Sequence, residues 1–266
     1  MKKFFAAVVA MLCTVSVWAE PTVLNRRSDW SKHKFLSVNN DGIMEFRGGR
    51  VDVFSTPFTI EPGKTYKFSM EVRTKPGTVS GVAYIGNWSM TEKNFRLLPE
   101  HVLAVADSDS TVVADAAAGS KIVVIRKPAC WSDKGLHRTW TLAFNTRPDR
   151  SDLPNVSSIG IAKAEVNGDQ LTLTLRNPLK SAVKAGTNVR FNRASSGMYG
   201  GLSNVRVGEE WQLVAWTVAG VAAESTNPAD KWWNGAAKGA IRIIANYKHE
   251  KNAILQVRNV TMEVVE

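Results

Sequence analysis

The feature that most constrains this chain is an alternation of apolar and polar residues with a period of two. Tyr66-Lys67-Phe68-Ser69-Met70-Glu71-Val72-Arg73 shows it without interruption. Only an extended strand puts every second side chain on one face. Tyr66, Phe68, Met70 and Val72 are therefore expected to face a core, and Lys67, Ser69, Glu71 and Arg73 the opposite side. Turn residues bracket the run as Glu61-Pro62-Gly63 and Lys75-Pro76-Gly77, and Asn39-Asn40-Asp41-Gly42 marks an earlier turn. The clearest hairpin runs from Ile159 to Val166, through Asn167-Gly168, and back from Asp169 to Leu175. Asn-Gly supplies the two positive φ angles of a tight type I′ turn. Further strands are expected over Trp211–Val218, Ala240–Asn246 and Ile254–Val265, with a buried-strand run at Lys121–Ile125. One helix is expected over Thr111–Ala118, with Asp109 or Ser110 as N-cap and Gly119 just past its end.

Ten or more short strands at close turn spacing predict an all-β chain, an antiparallel β-sandwich or jelly roll with at most one or two short helices. A hydrophobic fraction of 44% with 22% charged residues excludes disordered, collagenous and coiled-coil chains. Two cysteines, Cys13 and Cys130, exclude a disulfide-stapled mini-fold and a Cys-rich zinc module. No linker or repeat is visible, so residues 20–266 read as a single domain.

The first 19 residues read as an export signal. Lys2 and Lys3 form a basic start, Phe4 to Val17 is almost continuously apolar, and Val17-Trp18-Ala19 offers a cleavage site after Ala19. The apolar run is short for a membrane span, which needs roughly 20 residues. The expectation is a bacterial type of signal and a secreted product, periplasmic or extracellular, that is not an integral membrane protein. Cys130 is then the sole cysteine and reads as a small buried apolar residue.

Three stretches resemble secreted carbohydrate-binding modules with the galactose-binding-like jelly roll. Ile60-Glu61-Pro62-Gly63-Lys64-Thr65-Tyr66-Lys67-Phe68-Ser69 is similar to their strand entry. Glu210 to Val218, with Trp211-Gln212, resembles a Trp-Gln strand of these modules, and Ile254 to Val264 resembles their final strand. The resemblance implies a jelly roll and carbohydrate binding. Two departures accompany it. Arg258-Asn259 stands where many such modules carry a structural acidic pair, which puts their calcium site in doubt. The stretch from about residue 82 to 206 is longer than the usual connection and reads as an elaboration of the sandwich.

Several aromatic residues sit among Gly, Asn and Ser, as in Tyr84-Ile85-Gly86-Asn87-Trp88, Met198-Tyr199-Gly200-Gly201 and Lys231-Trp232-Trp233-Asn234-Gly235. A flat ring suits the apolar C–H face of a sugar, and neighbouring polar groups suit its hydroxyls. Tyr84, Trp88, Tyr199, Trp232 and Trp233 are thus the stacking candidates. The competing reading of Trp88, Trp232 and Trp233 is that they plug the core, and Trp211 and Trp140, set in strand patterns, read as core. Arg73, Arg242 and Asn246 are the candidate polar contacts. The net charge of +10 favours anionic partners, and outside the cytoplasm these are acidic polysaccharides. Export and the lack of a recognition helix or stacking sheet argue against nucleic acid.

No paired-carboxylate glycosidase motif, Gly-x-Ser-x-Gly elbow, His-Glu-x-x-His or P-loop occurs. The reading is therefore a binding protein without turnover and without a cofactor. One alternative is a polysaccharide lyase using Tyr247 and His249 of Asn246-Tyr247-Lys248-His249 as its acid–base groups. Another is a surface structural or adhesive protein. Oxygen ligands for a structural calcium exist at Asp107, Asp109 and Asp115, without the Gly and closing Glu of a calcium loop.

Overall fold

A computed structural model describes residues 20–195, 197–222 and 229–265. The segment expected to be an export signal, with Cys13 in it, lies outside the described residues. In chain order the strands are β1 (Thr22–Val23), β2 (Leu36–Val38), β3 (Met44–Arg47), β4 (Val51–Phe54), β5 (Phe58–Thr59), β6 (Thr65–Thr74) and β7 (Val82–Met90). A short helix, α1 (Pro99–Val102), precedes β8 (Ser110–Thr111), β9 (Ile122–Arg126), β10 (Trp140–Phe144), β11 (Ile159–Asn167), β12 (Gln170–Leu175) and β13 (Asn188–Arg193). The chain closes with β14 (Tyr199–Arg206), β15 (Gln212–Ala219), β16 (Lys238–Ala245) and β17 (Ile254–Val265). The fold is all-β, as the alternation predicts.

Among the described residues three antiparallel sheets form. One has the order β15-β6-β17-β3-β2 with β1 beside β17, and a second the order β14-β7-β16-β4 with β5 beside β16. These two share one buried cluster, to which Phe46, Phe68 and Met70 come from the first sheet and Val53, Ile85 and Ile243 from the second. Tyr66, Phe68, Met70 and Val72 are all buried, as their spacing requires. Each contributes about 1.5–3 kcal/mol through the apolar surface it removes from water.

The third sheet, β8-β13-β10-β11-β12-β9, has its own buried cluster around Leu142, Leu171, Leu173 and Phe191. Its strands all lie between β7 and β14 in the chain. Those two strands pair with each other in the second sheet, so the elaboration is the segment between them. Cys130 is half-buried against this cluster, and burial pushes its thiol up.

Two local expectations are corrected. Residues 111–118 form no helix. Thr111 pairs with Asn188, Val112 bridges Ile125, and Ala116 bridges Val183. Thr111, Val112 and Val113 are β-branched and favour extended backbone, and two neighbouring strands offer partners that an isolated short helix lacks. The β11–β12 hairpin forms, but Asn167 pairs with Gln170, so its turn residues are Gly168 and Asp169. Gly168 has φ +60° and Asn167 is not among the positive-φ residues. A positive φ at the first turn residue only is the type II′ pattern rather than type I′.

Candidate functional site

The second sheet has one face in the core and one outward. Ala83 and Ile85 of β7 point into the core, which turns Tyr84, Gly86 and Trp88 outward. In register, Arg242 of β16 lies between Gly86 and Phe54, and Ile244 lies between Tyr84 and Asp52. Cross-strand partners share a face, so Tyr84, Trp88, Arg242, Asp52 and Phe54 gather on the outward side. Phe54 and Trp88 pack with ring centroids 3.7 Å apart. The Arg242 guanidinium lies 5.1 Å from each of these rings and grips Asp52 through Nε at 2.9 Å and Nη2 at 2.6 Å. Burial pushes the Asp52 carboxyl up, but Arg242 and Arg50 outweigh it and hold the group below its usual range.

Arg96 joins this group by way of a turn. The chain leaves β7, reverses through residues 91–95 with Asn94 at φ +60°, and brings Arg96 opposite Met90. Arg96 therefore lies on the side of Trp88, its guanidinium 4.0 Å from that ring. Along the same face Tyr84 meets Tyr247 edge-on at 5.0 Å, and the Arg50 guanidinium covers Tyr247 at 4.8 Å. The Tyr84 hydroxyl donates to Asn204 at 3.2 Å. Beside Tyr84 a concavity of about 470 Å³ opens toward Met198, Gly200, Ser203 and Trp216. Gly86 is needed here, because a Cβ at that position would lie 2.6 Å from the Tyr199 carbonyl oxygen.

The structure thus brings Tyr84, Trp88 and Arg242 together and separates the other candidates from them. Trp232 and Trp233 have no exposed surface. Trp232 meets Tyr66 edge-on at 5.5 Å, and Trp233 stacks on Tyr199 at 4.6 Å. Tyr199 is itself buried, hydrogen-bonds Ser89 through its hydroxyl, and has that hydroxyl pushed far up by burial. A ring without exposed surface offers no face to a sugar, so these three belong to the core. Asn246 is buried at the end of β16 with φ +51°. Its amide donates to the Gly48 and Glu250 carbonyls and its oxygen accepts from the Glu250 N–H. That is a turn-forming role for a residue that tolerates left-handed backbone.

Arg73 lies on the other sheet. Its Nε donates to Gln256 at 2.7 Å, and its guanidinium covers Trp211 at 4.4 Å. Arg258 covers the same ring at 4.2 Å. Trp211 is half-buried between these two cations rather than in the core. Trp140, by contrast, packs on Phe191 at 4.9 Å beside the third sheet's core. Tyr247 and His249 are exposed, and both border Arg50, whose backbone N–H donates to His249 Nδ1 at 3.4 Å.

Two of the three carboxylates considered for calcium have other partners. Asp109 takes both Nη groups of Arg150 at 2.7 and 2.8 Å, and Asp115 accepts from Lys184 and the Ala185 N–H. Among the described residues no group of three or more His, Cys, Asp or Glu is placed to hold a metal ion. No helix among them is long and apolar enough to cross a membrane.

Sequence reasoning missed Asp52, Phe54 and Arg96. The first two carry a faint signal, the alternation in Val51-Asp52-Val53-Phe54. Arg96 carries none, because its position depends on the turn before it.

No family model and no curated protein matches the chain. Among solved structures, it is similar to the crystal structure of an endo-1,3-beta-glucanase from Streptomyces sioyaensis. The match covers 87% of this chain and 78% of that one, at 11% identity and a TM-score of 0.30.

Proposed function

We propose that this is an exported carbohydrate-binding protein that holds a polysaccharide on the outward face of β7, β16 and β4 without chemical turnover. The observation that carries the reading is the row formed by Phe54, Trp88, Tyr84 and Tyr247, with the Arg242–Asp52 pair set among them. Aromatic surface receives the apolar faces of sugar rings, and charged groups at its edge receive hydroxyls. Trp88 and Tyr84 are four residues apart on one strand, roughly 13 Å, which is the reach of a short oligosaccharide. Strands hold these side chains more firmly than loops do.

Affinity electrophoresis of the purified protein through gels containing neutral and acidic polysaccharides tests this. Trp88→Ala and Tyr84→Ala should each weaken retardation by about tenfold or more while the protein still melts cooperatively. Unchanged retardation in both variants removes this face from the site.

A lyase reading draws on one observation, the meeting of Tyr247 and His249 at Arg50. It predicts new unsaturated chain ends that Tyr247→Phe abolishes. Retardation without any such ends decides for binding alone.

A further inference from the structure

Arg96 rests on the Trp88 ring but has no anionic partner among the described residues. It is half-buried, its Nε is sealed from water with no hydrogen-bond acceptor, and no carboxylate forms an ion pair with it among the described residues. Beneath it, Trp88 Nε1 is sealed and unpartnered as well. The nearby acids do not answer this. Asp52 is held by Arg242 and Arg50. Glu100 acts on Arg96 only from a distance and forms no ion pair with it. His101, the other titratable neighbour, is kept neutral over most of the pH range by burial and by Arg96. Arg242 adds a second positive charge at the same indole, 5.1 Å from the ring. Burying a guanidinium without a counter-charge is unfavourable, and the unfilled complement of its fork is an oxyanion.

We infer that Arg96 is the anion-gripping residue of this face, and that the polysaccharide it takes carries an oxyanion, a uronate carboxylate or a sulfate ester. The inference rests on the carbohydrate reading above and deepens it. The sugar bearing the charge lies against Trp88 and Phe54, and its oxyanion meets the Nη groups of Arg96. Arg242 and Asp52 form a fixed wall beside it. Arg242 is already committed to Asp52, so the discrimination between charged and neutral sugars falls to Arg96.

The test is affinity electrophoresis or calorimetry of the full chain with three probes: a neutral β-glucan, a polyuronate and a sulfated glucan, each at low and moderate salt. The variants are Arg96→Gln, Arg96→Lys and, as a charge control, Lys121→Gln, which removes an exposed cation of the inserted sheet. The wild type should prefer at least one of the two anionic polymers to the neutral one. Arg96→Gln should weaken that anionic probe by about tenfold or more and weaken the neutral glucan by much less. Arg96→Lys, which keeps the charge but not the fork, should recover only part of the loss. Lys121→Gln should change neither.

Whichever anionic polymer loses affinity identifies carboxylate or sulfate as the group recognised. Equal weakening by Arg96→Gln and Lys121→Gln means diffuse charge attraction and overturns the inference. So does anionic binding that survives Arg96→Gln, or a preference for the neutral glucan, while the polysaccharide reading stands in both cases. Binding of none of the three by a wild type that melts cooperatively overturns both.

Discussion

Arg242 holds Asp52 in a two-pronged grip, at 2.9 and 2.6 Å, on the outward face of the second sheet. The Arg242 side chain keeps only 9% of its surface exposed, so removing its partner leaves a buried charge. Asp52→Asn should lower stability by about 1–3 kcal/mol, read as a shift in the urea midpoint at neutral pH. The folded Asp52 carboxyl titrates below its ordinary value near 3.8. The stabilisation from this pair is therefore complete above about pH 5 and lost as the pH falls through 4 and below. Asp52→Asn should flatten that acid limb, and an identical limb in both proteins would remove Asp52 from the account.

His101 gives a second pH dependence in a different window. Burial, followed by the nearby charge of Arg96, lowers its imidazole from 6.5 to about 4. Nδ1 accepts the Leu98 N–H at 3.1 Å, which favours the neutral ring. The unfolded chain takes up this proton below about pH 6.5, the folded chain only below about pH 4. Stability therefore falls as the pH drops through that interval, by about 3 kcal/mol in all. His101→Gln keeps an acceptor for Leu98 without the titration, and should flatten the urea midpoint between pH 4 and 6.5. An unchanged slope would show that His101 titrates alike in the folded and the unfolded chain.

Period-two alternation made β6 and β17 readable in the sequence, because each is long and has one face in the core. The last strand, Ile254–Val265, has the bounds expected of it. Polar neighbours singled out Tyr84 and Trp88, and the register of β7 and β16 puts both, with Arg242, on the outward face. Burial of a tryptophan was not readable in the same way. Lys231, Asn234 and Gly235 suggest an open loop around Trp232 and Trp233, yet Phe58, Tyr66 and Phe68, distant in sequence, close over Trp232. Asp52 and Phe54 sit on a strand of four residues, too short for more than a faint periodic signal. Arg96 reaches Trp88 only because of the backbone geometry at Asn94. The helix expected at 111–118 failed because local propensity was outweighed by strand partners from elsewhere in the chain.

The buried tryptophans separate loss of fold from loss of binding. Trp232→Ala and Trp233→Ala each empty a large core volume and should cost about 3–5 kcal/mol. Trp88→Ala removes a half-buried ring and should cost clearly less. Thermal melts of the three variants should rank accordingly, with the core variants melting many degrees lower or failing to fold. A Trp233→Ala protein that melts like the wild type would show that the ring is not packed as described.

The β11–β12 hairpin distinguishes two turn geometries by one pair of substitutions. Gly168 has φ +60° and no atom within 4 Å of where its Cβ would be, so a side chain there meets no clash. Its cost is the left-handed backbone alone, about 1–2 kcal/mol for Gly168→Ala. Asn167 is the last residue of its strand and pairs with Gln170. It needs no positive φ, so Asn167→Ala should change stability by less than about 0.5 kcal/mol. A type I′ turn centred on Asn167 and Gly168 would instead make both substitutions costly, because both residues would be left-handed. Urea unfolding of the two single variants therefore reads the turn type: a penalty at Gly168 alone places the turn one residue later than the Asn-Gly pair suggests.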